Sequence, residues 1–360
     1  MASTKWNVGW GCVSNCNMNC RFCYSKKRRF ETTDLNYNEW VKFIDENHEY
    51  INSINYGTGE NTTSKDWFRL VAYIRKNYPF IRQALTTNGY LSVAVEDEEC
   101  MQAFVNGIDE VDVSLDFFEE TRHADFRGQP QAYKWALDTL KLCQEYRKKT
   151  TIVFIGSKQN LNVENIDGLF AIAKKYDAIL RMNVYRPTDG INENSKKFIV
   201  DYSDIVCILK HISEKYTILS LGDTLFSPIL AGTPRKDPSG CNSIRILSDG
   251  SITPSTYLIT QDFTVANITD KNILKKLSTD GRMSEIIRTE IPQACKSCVY
   301  IDSCCGGVYD RRYLWGGSLK EKDPYCQGPY TELLPATVVV HDENFSSVHD
   351  GYLPTIFFKP

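Results

Sequence analysis

Cys16-Asn17-Met18-Asn19-Cys20-Arg21-Phe22-Cys23 sets three cysteines at x3 and x2 spacing, just after the apolar stretch Trp6-Asn7-Val8-Gly9-Trp10-Gly11. At i, i+4 and i+7 such cysteines would line one helix face as small hydrophobes. Ser14, Asn15, Asn17 and Asn19 argue against a helix, because their side chains compete for its backbone bonds. A loop carrying three thiolates is therefore expected. A 4Fe-4S cluster normally takes four cysteines. Three close together, with no evident fourth, suggest a cluster with one iron left open for another ligand, which is a site for chemistry and not only for electron transfer. Cys12 is a spare: a shifted triad of Cys12, Cys16 and Cys20 lacks the closing x2 pair.

The 360 residues allow one large domain and a smaller one. With 42% apolar and 24% charged residues and net charge −3, the composition gives no electrostatic support for nucleic-acid binding. No run is long enough to span a bilayer, and Met1–Lys27 has no signal-peptide pattern, so neither membrane nor export is expected. Thirteen cysteines, an odd number gathered mainly in Cys12–Cys23 and Cys295–Cys326, point to metal–sulfur ligation in a reducing cytoplasm. Cys100, Cys143 and Cys207 stand alone in helical patterns and read as buried small hydrophobes.

Around the cysteine loop, strands and helices alternate. Strands are expected at Trp6–Gly11, Ile51–Tyr56, Gln83–Thr87, Glu110–Leu115, Thr151–Ile155 and Ala178–Val184. Helices are expected at Tyr37–Tyr50, Lys65–Asn77, Asp97–Asn106, Ala132–Lys148, Val163–Tyr176 and Ser203–Tyr216. Six βα units in series imply a parallel sheet covered by helices, with the site at the carboxyl ends of the strands. Ser227–Gly240 reads as a linker, and Cys241–Thr256 as a hairpin turning at Asp249-Gly250. Val338–Val340 and Tyr352–Phe358 are expected to be extended and packed back on the body.

CxxxCxxC with Phe22 before the last cysteine resembles the signature of the radical S-adenosylmethionine enzymes. That resemblance implies an α/β fold, a partial (β/α)6 TIM-like barrel, with Cys16, Cys20 and Cys23 holding a 4Fe-4S cluster. It also implies S-adenosylmethionine on the open iron, cleaved by one electron to a 5′-deoxyadenosyl radical that takes a substrate hydrogen. Tyr56-Gly57-Thr58-Gly59-Glu60 resembles the family's Gly-Gly-Glu motif, with Thr58 in place of the first glycine. Thr58, Gly59 and Glu60 would then receive the cosubstrate's amino group. Thr87-Asn88-Gly89 ends the third strand as in related enzymes, and Ser114 and Asp116 end the fourth, where ribose hydroxyls would be bound. Arg127 matches an arginine that pairs with the cosubstrate carboxylate. Asn162 follows strand five, and Arg181 and Asn183 lie in strand six. For each of these polar residues, a cap or a solvated loop is the structural alternative.

Cys295-x2-Cys298-x5-Cys304, followed by Cys326, supplies four thiolates and resembles a SPASM/twitch-type extension. Ser255 and Val308 stand where that pattern has two further cysteines. The resemblance therefore implies one auxiliary 4Fe-4S cluster on Cys295, Cys298, Cys304 and Cys326, with Cys241 and Cys305 left over. A four-cysteine zinc site is the competing reading of the same residues. The implied domains are a core barrel over 1–226, an auxiliary-cluster domain over 227–329 and a tail over 330–360. The implied function is maturation of a ribosomally made precursor peptide. The strand beginning so near the N-terminus leaves no room for a fused leader-binding domain, so a separate leader-recognition protein is expected, with flavodoxin or ferredoxin as external electron donor. Lys5–Gly11 together with the single-cluster pattern is similar to maturases that include tyramine-excising spliceases. A crosslink is another outcome. A small-molecule radical dehydrogenase and a non-catalytic iron–sulfur electron-transfer protein are the alternatives. Tyr24, Tyr185 and Tyr309, with Glu60 and Asp116, are further acid–base candidates.

Overall fold

The computed structural model describes residues 5–279, 281, 283, 291–341, 344–350 and 352–360. Six strands run in the order of the chain: β1 (Trp6–Trp10), β2 (Ile51–Tyr56), β3 (Arg82–Thr87), β4 (Glu110–Ser114), β5 (Lys149–Gly156) and β6 (Ile179–Val184). Each pairs in parallel with the next, as Trp10↔Tyr56, Tyr56↔Leu85, Thr87↔Val113, Ser114↔Val153 and Phe154↔Met182 show. This is the parallel sheet expected from the alternation and the partial barrel that the resemblance implies, and each expected strand is found within two residues of its expected bounds.

The helices between them form for local reasons. Asn36 and Glu39 make a reciprocal capping box for helix Tyr37–Asn47. Ser64 caps Lys65–Asn77, whose Trp67, Phe68, Leu70, Val71 and Ile74 are buried against the sheet. Alternation within the strands then divides polar from apolar. In β4, Val111 and Val113 join the core, whereas Glu110, Asp112 and Ser114 take the other face; in β6, Leu180 and Met182 join it, whereas Arg181 and Asn183 take the other. The inner face of the barrel is consequently polar at depth, and Asp112 pairs there with Arg181 at 2.6 Å and with His349 at 2.9 Å.

Several elements depart from the expected series. Helix Glu120–Arg127 falls between β4 and the expected Ala132 helix, ended by Gly128 at φ 64°. A strand β7 (Thr217–Leu221) follows helix Tyr202–Lys215. β8 (Ser243–Ile246) adds in parallel to β1, and β9 (Ser251–Thr253) and β10 (Ala266–Asn267) continue that edge antiparallel. The expected hairpin is thus part of the main sheet. The tail strand β11 (Ile356–Lys359) lies antiparallel between β6 and β7, giving one eleven-stranded sheet among the described residues. Ser227–Ala231, expected in a linker, forms a π-helical turn buried at Pro228, Ile229 and Leu230. Cys100 and Cys143 are core residues as expected, but Cys207 is exposed, because Ile205, Ile208, Leu209 and Ile212 form the inward face of its helix.

His123 is fully buried, and its Nδ1 accepts from the Asp116 backbone N–H at 3.1 Å. Burial, helped by the Arg127 charge, holds its pKa well below the ordinary value. The folded chain therefore keeps it neutral while an unfolded chain protonates it below about pH 6.5. Its stabilisation is complete above that pH and is lost as pH falls. By pH 5.5 the loss should reach about 1.4 kcal/mol, and in urea titrations below about pH 6.5 the native chain should lose stability with falling pH more steeply than His123→Gln.

Candidate active site

The loop from Gly11 to Ser25 contains no helix, and three separate elements hold it. The Cys12 N–H donates to Asn61 Oδ1 (3.0 Å), the Ser14 N–H to the Asp34 carboxylate (3.0 Å), and the Glu60 N–H to the Asn15 carbonyl (2.8 Å). These bonds aim Cys16, Cys20 and Cys23 into one cavity of about 170 Å³ at the carboxyl ends of the strands. Cys20 is buried among Met18, Phe22, Phe117 and Phe126, with Cys16 and Cys23 packed beside it.

Burial pushes the Cys16 and Cys20 thiols up. Burial, with Glu60 adding to it, raises Cys16 to about 12, and burial also raises Cys20. An isolated thiolate is thus disfavoured here, and a positively charged metal cluster is the kind of group that would make all three ionise. Polar hydrogens are already directed at the sulfurs: Asn88 Nδ2 lies 3.8 Å from Cys16 Sγ, Ser25 Oγ 3.5 Å from Cys23 Sγ and Arg29 Nη2 4.0 Å from the same sulfur. Three thiols at one cavity beside the apolar Met18–Phe22–Phe126 cluster, each within reach of such partners or of Arg127, fit an iron–sulfur cluster. Among the described residues no three His, Cys, Asp or Glu side chains converge as on a single metal ion.

Thr58, Gly59, Glu60, Asn88, Ser114 and Arg127 all line this cavity. Thr58 and Gly59 both have positive φ, 78° and 66°. A Cβ on Gly59 would lie 2.3 Å from the Val13 carbonyl oxygen and 2.7 Å from that of Asn15. Backbone cannot yield there, so Gly59→Ala should cost about 2–5 kcal/mol, from left-handed strain and overpacking together. A denaturant midpoint unchanged from the native chain would refute this. Glu60 is buried and accepts from Thr62 Oγ1 (2.6 Å), Thr87 Oγ1 (2.9 Å) and the Asn88 N–H (2.7 Å). Burial nevertheless pushes its pKa upward, against those bonds.

Two expected residues sit outside the cavity wall. Asp116 is fully buried, with Arg127 Nε at 2.6 Å from Oδ2 and the Ile155 N–H at 2.9 Å from Oδ1. Its carboxylate thereby orients Arg127, whose guanidinium also stacks over Phe22 at 5.1 Å. Asn162 caps helix Val163–Lys175 by accepting from the Asn165 N–H at 3.0 Å. Capping was the structural alternative for that residue.

Other wall residues were not singled out from sequence. Arg245 from β8, Thr256 and Tyr257 after β9, and His349, Tyr352 and Leu353 from the tail all reach the cavity. A buried Arg with no local amphipathic reason, as in Ser243-Ile244-Arg245-Ile246, is the signal that could have found one of them.

The second cysteine group folds as a string of tight turns. The Cys298 N–H donates to the Cys295 carbonyl (3.0 Å), the Gly307 N–H to that of Cys304 (2.9 Å) and the Cys326 N–H to that of Asp323 (2.9 Å). Cys298 Sγ accepts from the Tyr330 N–H at 3.4 Å. Cys326 lies close enough to raise the thiol pKa of both Cys295 and Cys304, after burial, the main cause, which takes Cys304 to about 12. Cys241 and Cys305 are exposed. The expected ligand gap at 255 is filled by a hydrogen bond from Ser255 Oγ to Asp310 Oδ2 (3.2 Å), and Asp310 pairs with Arg186 at 2.7 Å.

Residues 12–169 match the Radical SAM superfamily. The chain is 24% identical over 335 residues to mycofactocin maturase MftC of Mycobacterium ulcerans (strain Agy99), covering 89% of this chain and 87% of that protein. It is 32% identical over 170 residues to Fe-coproporphyrin III synthase of Methanosarcina barkeri (strain Fusaro / DSM 804), covering 47% of this chain and 41% of that one. Its fold is similar to that of native anSMEcpe with bound AdoMet and Cp18Cys peptide, with TM-score 0.67 at 17% identity over 89% of this chain and 93% of that chain. Enzymes of the superfamily use a 4Fe-4S cluster and S-adenosylmethionine. Residues 12–169 are a radical S-adenosylmethionine domain, and the chain is a radical S-adenosylmethionine enzyme.

Proposed function

We propose that this enzyme is a peptide maturase. Cys16, Cys20 and Cys23 would hold the 4Fe-4S cluster that works with S-adenosylmethionine, and Cys295, Cys298, Cys304 and Cys326 would hold one auxiliary 4Fe-4S cluster. When bound and reduced, the first cluster and the cosubstrate supply a 5′-deoxyadenosyl radical. The chain's own residues do the placing. The turn Gly57–Glu60 approaches the cosubstrate with backbone, Asn88 and Ser114 offer hydroxyl- and amide-binding groups, and Arg127, steadied by Asp116, presents a guanidinium beside Cys20. Phe22, Phe126 and Tyr185 keep water from the sulfurs.

The observation that carries the reading is the single cavity that gathers the three thiols, the Gly57–Glu60 turn and wall residues from the hairpin and the tail. Support for a peptide substrate comes from the maturase relative, whose match covers 89% of this chain, and from the peptide-bound structure of similar fold. In this reading 1–226 is the core, 227–329 the auxiliary-cluster domain, parts of which lie outside the described residues, and 330–360 a tail that completes the cavity. A separate leader-recognition protein and a flavodoxin or ferredoxin donor would complete a cytoplasmic system. Among the described residues no helix is long and apolar enough to cross a membrane.

Excision of tyramine is the specific reaction we infer, with a crosslink as the second. Anaerobically reconstituted enzyme given dithionite and S-adenosylmethionine should form 5′-deoxyadenosine, and a co-expressed neighbouring precursor should lose a defined mass. Loss of two hydrogens would favour a crosslink. No 5′-deoxyadenosine at all would remove the enzymatic account.

A further inference from the structure

Five arginines reach the cavity wall: Arg29, Arg127, Arg181, Arg186 and Arg245. Three of them have an acid at 2.6–2.7 Å, namely Asp116 for Arg127, Asp112 for Arg181 and Asp310 for Arg186. Arg29 is turned toward the Ser14 carbonyl and the Cys23 sulfur. Arg245 differs. It is 1% exposed, and its hydrogen-bond partners are neutral: the Gly57 carbonyl, the Thr58 hydroxyl and the Tyr352 hydroxyl at 3.2 Å. Its Nε has no partner, and no carboxylate pairs with it among the described residues. A guanidinium cannot shed its proton, and burying it without a counter-charge is strongly unfavourable. It is the kind of group that waits for an anion.

Hydroxyls surround it. Tyr24 Oη lies 2.7 Å from Thr58 Oγ1, and Tyr352 Oη lies 2.6 Å from Thr256 Oγ1. Arg245 is paired in register with Gly9, whose missing side chain is what admits the Tyr352 ring: a Cβ there would lie 1.6 Å from Tyr352 Oη. β1, β8 and the tail thus build one polar corner from three distant parts of the chain.

We propose that Arg245, with the hydroxyls of Tyr24 and Tyr352, is a subsite for a carboxylate of the substrate. The fork of the guanidinium suits a carboxylate, with the two phenols donating to its remaining lone pairs. The proposal rests on the cavity's being the active site of a peptide-modifying enzyme, and a peptide offers this group either at its C-terminus or on an Asp or Glu side chain.

The reconstituted full chain is titrated, by ligand-observed NMR, with N-acetylglycine as the terminal acid, N-acetylaspartate α-amide as the side-chain acid and N-acetylglycinamide as the neutral control. One acid should bind at least ten times more tightly than the amide, and which acid wins identifies the source. Arg245→Gln should bring that acid down to the level of the amide while changing S-adenosylmethionine affinity less than threefold. Tyr352→Phe, which keeps the ring over Gly9, should weaken the acid two- to tenfold and serves if the arginine variant does not fold. Equal binding of acids and amide overturns the proposal. So does an equal loss of S-adenosylmethionine affinity in Arg245→Gln, which would give the guanidinium to the cosubstrate. Formation of 5′-deoxyadenosine by the native chain, followed in parallel, tests the enzymatic reading separately, since its absence leaves the acid-binding result standing.

Discussion

Cys20→Ala is expected to remove about four irons per chain and to lower 5′-deoxyadenosine formation to background, with the fold kept. Cys20 is the most buried of the three loop thiols, and its sulfur sits 3.5 Å from the Arg127 carbonyl, inside the Met18–Phe22–Phe126 cluster. Alanine keeps the apolar contact there and loses only the ligand, so the change in stability should be small beside the change in iron. Cys143→Ala, at a buried thiol in the core away from the cavity, should leave the iron content at the native value. Cys326→Ala should lose about four irons from the other group while the first triad keeps its own. Iron and sulfide assays beside product chromatography read all three. Full iron in Cys20→Ala would mean that the triad is not the ligand set.

Arg311→Ala should unfold the attachment of the second cysteine group to the barrel. Arg311 is fully buried between two acids: Nη1 and Nη2 reach Asp223 at 2.6 and 3.0 Å, and Nε reaches Asp323 at 2.8 Å. Asp223 follows β7, and Asp323 precedes Cys326, so one side chain ties the barrel to the cysteine turns. The acids share one cation unequally. Asp323 is pushed up by burial and by Asp223, whereas the guanidinium outweighs burial at Asp223 and holds it below the usual range. Asp323 also accepts from the Val308 N–H at 3.0 Å, the position where a cysteine was expected. Removing the arginine leaves two buried acids facing one another, at a cost of about 3–5 kcal/mol. Arg311→Lys should recover only part of that, since an ammonium cannot fork to both. Limited proteolysis should then cut between 291 and 330 first. Uniform protection there, with an unchanged denaturation midpoint, would contradict this account.

Much of the fold was readable because it is local. Each expected strand from β1 to β6 was marked by a short apolar or β-branched run, and each principal helix by a cap such as Asn36, Ser64 or Asp97 followed by apolar periodicity. β7 was not marked, because Thr217–Leu221 follows its helix without a break. Helix Glu120–Arg127 was hidden by its charged sequence, in which only His123, Phe126 and Arg127 are buried. The roles of single polar residues were least readable. Asn162 and Asp116 lie at strand ends, as the cavity residues do, yet one caps a helix and the other is consumed by Arg127.

By itself the order of residues determined the cysteine loop, its spacing for three thiolates and the βα alternation that places it at the strand ends, because turn chemistry and periodicity act over a few neighbouring residues. Which side chains meet that loop was decided only in three dimensions. Arg245, Tyr257, His349 and Tyr352 lie more than two hundred residues beyond it, and only β8 pairing with β1 and β11 closing between β6 and β7 bring them to the same cavity. Such contacts come from long-range strand pairing and burial, for which no short stretch of sequence carries a signal.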